Sequence, residues 1–366
     1  MQVKNYIKYI LVLLSLFAFN CKYDKLDLNS ITNSDVVSNG PKSDTVYIQQ
    51  KLVMTGFNKP MDIIVGREPF IYVADTYNDR IVMLNIAGQK LGFTTIKHPI
   101  ALAQDFQFNL LVCAQFDTTI QGNVETFSAV YKINLVAAGH NIASAPVTRI
   151  LPLSNDFRYL NETRRREYTG ICAFYDNSFY ISRTGPSNDN LIDPDNCILM
   201  YGKTRSNAVK IDTLIGKVPL LAAEGTGLMS ANMISSLTTL GKNNYDMIVT
   251  LTGGTSFKSQ WFHWVETAEG AGYQSKLSPE KAEMMRVYRF SQPEDAVVDS
   301  YGNIFIADAK KDSVFKFNSF GQELQSFGGA AVFSNPHAVA VFDKTVYVAD
   351  TDNDRILSFI LSTDTN

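Results

Sequence analysis

The chain has 366 residues, of which 45% are hydrophobic and 19% are charged, and this composition is ordinary for a globular protein with a sizeable core. Its formal net charge of −3 lacks the basic excess that nucleic-acid binders carry, so no nucleic-acid partner is predicted. Aromatic residues make up 11%, with 23 Phe and 17 Tyr, and such residues favour β-strands.

The first 20 residues have the pattern of an export signal. Lys4 and Lys8 give a positively charged start, and an apolar run from Tyr9 to Phe19 follows. A membrane-spanning helix needs roughly 20 apolar residues, so this run is too short to span a bilayer. It fits a secretory signal peptide over residues 1–20.

The apolar run ends just before Cys21, and Ala18 lies three residues before this cysteine. This arrangement resembles the lipobox of bacterial lipoproteins, although the leucine that is usual in that motif is missing. The resemblance implies cleavage before Cys21 and lipidation of Cys21. The alternative is an ordinary signal peptide with a chance cysteine. Residues 21–43 are polar and lack apolar periodicity, which predicts a flexible tether.

Three related segments indicate that the rest of the chain is built from repeats. They begin at Pro60, Pro293 and Pro336, and each contains two apolar strands, the second ending in Ala-Asp. From proline to aspartate the spacing is 15 residues in the first two segments and 14 in the third, and the last two prolines are 43 residues apart. Such a unit, with short strands rich in β-branched and aromatic residues, predicts one propeller blade of four strands.

Two segments carry nearly the whole motif, Tyr-Val-Ala-Asp-Thr-x-Asn-Asp-Arg-Ile, at residues 72–81 and 347–356. This motif closely resembles the NHL repeat, and the resemblance implies an all-β, six-bladed β-propeller. Weaker copies that start near Pro99, Gly170 and Ile234 complete six blades within residues 44–366. Residues 45–57 look like an outer strand with no blade before it, and the chain stops after a third strand. The N-terminal strand is therefore predicted to pair into the last blade, which closes the ring and removes its exposed edges.

The motif residues at the end of the second strand are predicted to be structural. Aspartate and asparagine side chains stabilise tight turns, and an arginine that begins the next strand can reach the aspartate. A metal-ligand role is the alternative, but an adjacent arginine opposes a bound cation. The residues concerned are Asp75, Asn78, Arg80, Asp308, Asp350, Asn353 and Arg355.

Four long segments are predicted to be loop insertions on one face of the propeller. They are residues 117–128, 153–167, 184–196 and 222–232. Loops on a rigid scaffold often carry function, so this face is the predicted recognition surface, with neutral loop variation as the alternative. The arginines of this face suit carboxylate, sulfate or phosphate groups. Its aspartates supply oxygen ligands, so binding of Ca²⁺ is a further possibility. The candidate residues are Arg158, Arg164, Arg165, Arg166, Tyr168, Asp189, Asp193 and Asp195.

Blade four contains a short aromatic run, Trp261, Phe262 and Trp264. These side chains either stack on a partner or pack in the core. Residues 267–281, which follow the run, are predicted to form a long loop between the third and fourth strands of the blade.

Asp62, Glu294, Asp295 and His337 lie near the starts of inner strands and are predicted to line the mouth of the pore. Some propellers related to NHL proteins are enzymes, including the peptide-amidating lyase and lactonase-like hydrolases. The lyase holds its metal through several histidines that follow the prolines, and only His337 occupies such a place here. A zinc site with three protein ligands is therefore not expected, whereas a lactonase-like, carboxylate-lined site stays open.

The leading prediction is a non-catalytic binding or scaffold propeller without a cofactor. The lipobox and the Asn- and Lys-rich sequence resemble envelope lipoproteins of Bacteroidota. This resemblance implies a lipid anchor at the outer membrane, on either side, and docking of an outer-membrane or secreted protein, a peptide or a glycan. The alternative is a metal-dependent hydrolase or lyase with its site in the pore.

Overall fold

The computed structural model describes residues 45–153, 163–189, 193–206, 209–218, 233–253, 257–268 and 270–364. Six antiparallel four-stranded sheets form a six-bladed β-propeller, as the repeat pattern predicts. No helix within the described ranges is long and apolar enough to cross a membrane. Cys21 and the predicted signal and tether lie outside these ranges, so lipidation stays a prediction.

The strands are numbered along the chain, and the first, β1 (Tyr47–Met54), belongs to the last blade. Blade one contains β2 (Pro60–Val65), β3 (Phe70–Asp75), β4 (Arg80–Asn85) and β5 (Lys90–Thr95). Blade two contains β6 (Ala101–Gln104), β7 (Asn109–Ile120), β8 (Asn123–Asn134) and β9 (Val147–Leu151). Blade three contains β10 (Glu167–Ala173), β11 (Phe179–Thr184), β12 (Cys197–Ser206) and β13 (Val209–Val218).

Blade four contains β14 (Ile234–Thr239), β15 (Met247–Leu251), β16 (Ser259–Thr267) and β17 (Gly270–Ser275). Blade five contains β18 (Pro293–Val298), β19 (Ile304–Asp308), β20 (Ser313–Phe317) and β21 (Glu323–Gly328). Blade six contains β22 (Pro336–Phe342), β23 (Thr345–Asp350) and β24 (Arg355–Leu361), with β1 as its outer strand. The first strand of each blade, or β22 in blade six, is the inner one.

The ring is closed by the pairing that the sequence predicts. Strand β1 runs antiparallel to β24, from the pair Tyr47–Leu361 to the pair Met54–Ile356. The backbone amide of Ser362 also donates to the carbonyl of Val46 at 2.8 Å. The outer strand of blade six thus comes from the start of the domain and its other three strands from the end.

The core is divided among the six spaces between neighbouring blades. Each space is filled by one cluster of buried apolar side chains from the two sheets that face it. Ile63 of blade one packs with Tyr347 of blade six, for example, and Tyr72 of blade one packs with Leu110 of blade two. Because each sheet is covered on both faces, the second strand of a blade is buried along most of its length, as in β3, β11 and β15.

The repeat-motif aspartates are buried and bind the turns of their blades. Asp75 accepts hydrogen bonds from Arg80 Nε at 2.6 Å, from Asn78 Nδ2 at 3.0 Å and from the Asn58 amide at 2.7 Å. Asp350 has matching donors in Arg355, Asn353 and the Ser334 amide. Asp308 has no arginine partner and instead accepts from the amides of Ser291, Gln292 and Lys311.

Two of the predicted loops are strands, and both predictions are therefore wrong. Residues 117–128 form the ends of β7 and β8, which pair up to Ile120–Asn123. The connecting residues Gln121 and Gly122 both have positive φ, of 51° and 85°, and this backbone continues a hairpin without splaying its strands. Residues 270–275 within the predicted loop 267–281 form β17, which has one fully buried side chain, Tyr273, and so lacks an apolar pattern.

Candidate active site in the central channel

A β-bulge near the start of the inner strand recurs around the ring. The register between the first two strands of a blade shifts by one residue after Pro60, Tyr168, Ile234, Pro293 and Pro336. In blade two, the corresponding residue is Ile100, which directly precedes β6. The extra residue of a bulge re-aims its side chain, and such bulges are common beside active sites.

We call the residues at this position the bulge ring, with one residue from each blade. They are Met61, Ile100, Thr169, Ser235, Glu294 and His337. All six line a central cavity of about 820 Å³, whose walls come mainly from the inner strands, with Arg164 and Arg166 also on the lining. A volume of this size is within the range of small-molecule sites.

The bulge ring changes in polarity from blade to blade. Met61 and Ile100 make it apolar at blades one and two. Thr169 and Ser235 carry hydroxyls at blades three and four, which donate to the carbonyls of the next blade, Ile234 at 2.5 Å and Pro293 at 2.7 Å. The ionisable side chains of the ring therefore lie together in blades five and six.

Glu294 and His337 form the ionisable part of the ring. His337 Nδ1 lies 2.9 Å from the carbonyl oxygen of Met61, and because a carbonyl only accepts, Nδ1 carries a proton. His337 Nε2 faces Glu294 Oε2 at 3.6 Å, and the side chain of Gln292 donates to Glu294 Oε1. Nε2 is thus an acceptor in the neutral ring and a donor in the charged ring.

The histidine and glutamate side chains are only 18% and 10% exposed. They border the cavity but lie largely out of bulk water, where a proton-transfer group can be held in a fixed position. A histidine beside a carboxylate can take a proton and be stabilised as the imidazolium that forms. The pair is therefore suited to general acid–base chemistry.

Asp62 and Asp295, which were predicted at the pore mouth, connect neighbouring inner strands. Asp62 accepts from the amides of Ile63 at 2.7 Å and of Leu102 at 2.5 Å. Asp295 accepts from Ser236 Oγ at 2.6 Å and from the Val339 amide at 3.0 Å. Asp62 therefore links blade one to blade two, and Asp295 links blade five to blades four and six.

The pKa values of both aspartates are raised. Burial, followed by the charge of Asp295, raises the pKa of Asp62 well above its usual value. Burial also raises the pKa of Asp295 to about 6, although the hydrogen bonds from Ser236 and from backbone amides act in the opposite direction. Each aspartate is therefore more easily protonated than one in water.

The channel residues do not fit a protein-held metal ion. Every carboxylate oxygen of Asp62 and Asp295 already accepts a hydrogen bond, and Glu294 Oε1 accepts one from Gln292. Among the described residues, no group of three or more His, Cys, Asp or Glu side chains could hold a metal. The metal-dependent form of the lactonase-like prediction therefore lacks ligands in this part of the chain.

The charged residues of the predicted recognition face mostly contact each other. Arg166 donates to Asp195 Oδ1 at 2.8 Å and to Asp193 Oδ2 at 2.9 Å, and Arg183 donates to Asp193 Oδ1 at 2.7 Å. Burial raises the pKa of Asp193, but Arg183, Lys217 and Arg166 outweigh it and lower that pKa well below its usual value. These contacts leave Asp193 and Asp195 poorly suited to Ca²⁺.

The remaining residues of that face are scattered. Arg164 pairs with Glu125 at 2.7 Å, and Arg165 and Asp189 are exposed. Tyr168 is only 7% exposed and packs in the core between blades two and three. Arg158 lies outside the described residues. The structure thus brings Arg166, Asp193 and Asp195 together, places Arg164 with Arg166 on the wall of the central cavity, and leaves Arg165, Tyr168 and Asp189 apart.

The aromatic run of blade four belongs to the core. Trp261 is buried and donates to Asp246 Oδ2 at 3.1 Å, and Phe262 is fully buried. Trp264 packs at the edge of the same region, against Tyr273 with a centroid distance of 4.9 Å. Of the two alternatives left by the sequence, the structure supports core packing.

Sequence reasoning missed Thr169, Ser235 and Gln292 as channel residues. Their blades lack the proline that marks the start of a blade, or, for Gln292, the residue precedes that proline. A usable signal exists in the sequence, because Met61, Ile100, Glu294 and His337 each directly follow the proline that starts a blade. Thr169 and Ser235 occupy the equivalent bulge position in the two blades without that proline.

No protein-family model matches the chain, and no curated protein matches it. Solved structures do match. A gluconolactonase from Xanthomonas campestris is 12% identical, with a TM-score of 0.53, over 87% of this chain and 90% of that one. A PQQ-bound aldose sugar dehydrogenase from Streptomyces coelicolor is 11% identical, with a TM-score of 0.52, over 88% and 99%.

A calcium-binding protein, regucalcin, from Agrobacterium tumefaciens is 9% identical, with a TM-score of 0.51, over 84% of this chain and 90% of that one. Identities this low support the same fold and nothing further about the site. The chain is thus similar to enzyme and calcium-binding propellers in architecture.

Proposed function

We propose that the central channel is the active site of a hydrolase or lyase that acts on a small molecule, with Glu294 and His337 as its acid–base pair. The observation that carries this proposal is the 3.6 Å approach of His337 Nε2 to Glu294 Oε2 at the wall of an 820 Å³ cavity. The gluconolactonase-like architecture supports the same reading, because propellers of this shape include hydrolytic enzymes.

The geometry assigns a role to each member of the pair. Met61 holds His337 in one tautomer through its carbonyl, so Nε2 is the atom that exchanges a proton with substrate. Glu294 stabilises the imidazolium that results, and Gln292 holds the carboxylate. Glu294 and His337 are the catalytic residues of the proposal, and Gln292 is a positioning residue.

This reading replaces the non-catalytic binding module as the leading function. The channel has an oriented acid–base pair, whereas three of the charged residues predicted for recognition bind one another. The architecture shared with a gluconolactonase also supports the hydrolase alternative over the scaffold. Docking of an envelope protein, peptide or glycan stays a prediction, as does the lipid anchor at Cys21.

The test is hydrolysis of a panel of sugar and aliphatic lactones, followed through acid release with a pH indicator. General acid–base groups contribute about 10²–10⁴ in rate, so H337Q and E294Q are each expected to lower kcat at least about 100-fold. The matched control is H140Q, because His140 Nδ1 also lies 3.0 Å from a glutamate, Glu68, but outside the bulge ring.

H140Q is expected to retain wild-type rates. The proposal fails if no lactone is hydrolysed by the wild-type protein. It also fails if H337Q hydrolyses its best substrate as fast as H140Q does. Thermal midpoints of all three variants verify that a lost rate does not reflect a lost fold.

A further inference from the structure

A second cavity lies away from the channel, between blades five and six. We call it the seam cavity, because its wall includes Tyr47 of the ring-closing strand β1. It has a volume of about 270 Å³, and Phe305, Lys316, Val346 and Leu361 also border it. The cavity is complete only when β1 has paired with β24.

The amine of Lys316 lies in this cavity without an acidic partner. Lys316 is 8% exposed, and its Nζ donates to the hydroxyl of Tyr47 at 3.1 Å. The ring centroids of Tyr47 and Phe305 lie 5.4 and 5.2 Å from Nζ. Within the described part of the chain, Lys316 forms no salt bridge. A buried lysine is normally paired, so this environment is unusual.

Blade two shows what the same position looks like when the lysine is structural. Lys132 has the register of Lys316, because Lys132 pairs with Leu111 and Lys316 pairs with Phe305. Each of these partners lies two residues after an asparagine, Asn109 or Asn303, whose side chain donates to the aspartate of the preceding turn. Lys132 Nζ lies 3.0 Å from Asp212 and 3.5 Å from Asp105. Asp299 is the counterpart of Asp105, but Lys316 has no counterpart of Asp212.

Burial makes the Lys316 amine lose its proton more easily than an exposed lysine does. Burial lowers the pKa of Lys316, whereas the charges of Asp299 and Asp364 and the faces of the Tyr47 and Phe305 rings act in the opposite direction. Burial raises the pKa of Tyr47, so its hydroxyl keeps its proton. Lys344, on the wall of the same cavity, differs, because a hydrogen bond with Asp364 raises its pKa. A desolvated lysine is the usual amine nucleophile of proteins.

We propose that Lys316 is a reactive amine that captures a small aldehyde as an imine in the seam cavity. The lone pair of the neutral Nζ forms a bond to the carbonyl carbon, and the π electrons move to oxygen. A proton passes from nitrogen to that oxygen, and the carbinolamine then loses water to give the imine. Tyr47 donates its hydroxyl proton towards the departing oxygen and recovers it from nitrogen. No oxidant or reductant takes part.

The experiment uses the full folded chain with propanal as the probe and cyanoborohydride to reduce any imine to a stable secondary amine. Peptide mapping by mass spectrometry then measures modification at each lysine at pH 7. Each unit by which the pKa of an amine falls raises its neutral fraction about tenfold. Lys316 is therefore expected to be modified several-fold faster than Lys132 and Lys344, whose pKa values are raised.

Two variants separate the chemistry from simple access. K316M keeps an apolar chain of similar length in the cavity and is expected to lose the fast adduct. Y47F keeps the aromatic packing, removes only the hydroxyl, and is expected to slow the adduct. Modification of Lys132 and Lys344 at or above the rate of Lys316 in the wild-type protein overturns the proposal. An unchanged rate in Y47F overturns the role of Tyr47, and neither result depends on lactone hydrolysis.

Discussion

Replacing Asp75 with alanine is expected to destabilise the propeller by about 3 kcal/mol. Asp75 is fully buried and accepts hydrogen bonds from Arg80, Asn78 and the Asn58 amide. Removing one partner of a buried ion pair costs about 3–5 kcal/mol, and a buried donor left without an acceptor costs about 1–3 kcal/mol. The Arg80 side chain is 21% exposed and can regain water, which favours the lower end of that range.

Two further variants test the contribution of the buried charge. D350A is expected to match D75A, because Asp350 has the same three kinds of donor, including Arg355 at 2.7 Å. D75N is expected to cost about 1–2 kcal/mol, since asparagine keeps one acceptor oxygen for the Asn58 amide but loses the charge that Arg80 contacts.

Urea unfolding of the chain without residues 1–20, the predicted signal peptide, measures the free energies. Far-UV circular dichroism follows all the sheets, whereas fluorescence follows the two tryptophans, which are both in blade four. Coincident transitions establish that unfolding is two-state. A loss below about 1 kcal/mol in D75A, the size of an average substitution, would refute a structural role for the ion pair.

Three other outcomes are expected. Cell fractionation of C21A is expected to move the protein from the membrane to the soluble fraction, and an unchanged distribution contradicts the lipid anchor. The pKa of Asp295 is about 6 in the folded protein and about 4 in the unfolded chain. Between these pH values the native state binds more protons than the unfolded state, so the free energy of unfolding falls as pH rises from about 4 to 6. D295N is expected to flatten that part of the curve of unfolding midpoint against pH, and an equal slope in both proteins excludes the shift. Oxidised I48C/I360C, which joins a directly paired position of β1 and β24, is expected to raise the thermal midpoint, whereas no rise over the reduced form contradicts the closure register.

The fold could be predicted because its sequence motif repeats along the chain. Two nearly complete motif copies defined the blade, and the outer strand without a blade at residues 45–57 indicated the closure. The apolar pattern of the sequence does not indicate a strand that buries few side chains. Strand β17 has one fully buried side chain, Tyr273, and was therefore predicted as a loop.

The site was less predictable because its contacts join distant parts of the chain. His337 could be placed near the pore from its position after Pro336, but its tautomer depends on the carbonyl of Met61, which lies 276 residues away in sequence. In the same way, a run of arginines suggested a free anion-binding patch. Only the folded loops show that Arg166 contacts Asp193, 27 residues further on.

The closure of blade six imposes an order of assembly. A ribosome makes β1 before any other strand of the domain, yet its partner β24 is made last, and their outermost contact joins residues 316 apart. Contacts between residues so far apart in sequence form slowly. Strand β1 therefore stays an unpaired edge until β24 has been made. The central residues of β1, Gln49, Gln50 and Lys51, are polar. Polar or charged side chains on an unpaired edge strand disfavour its pairing with another molecule.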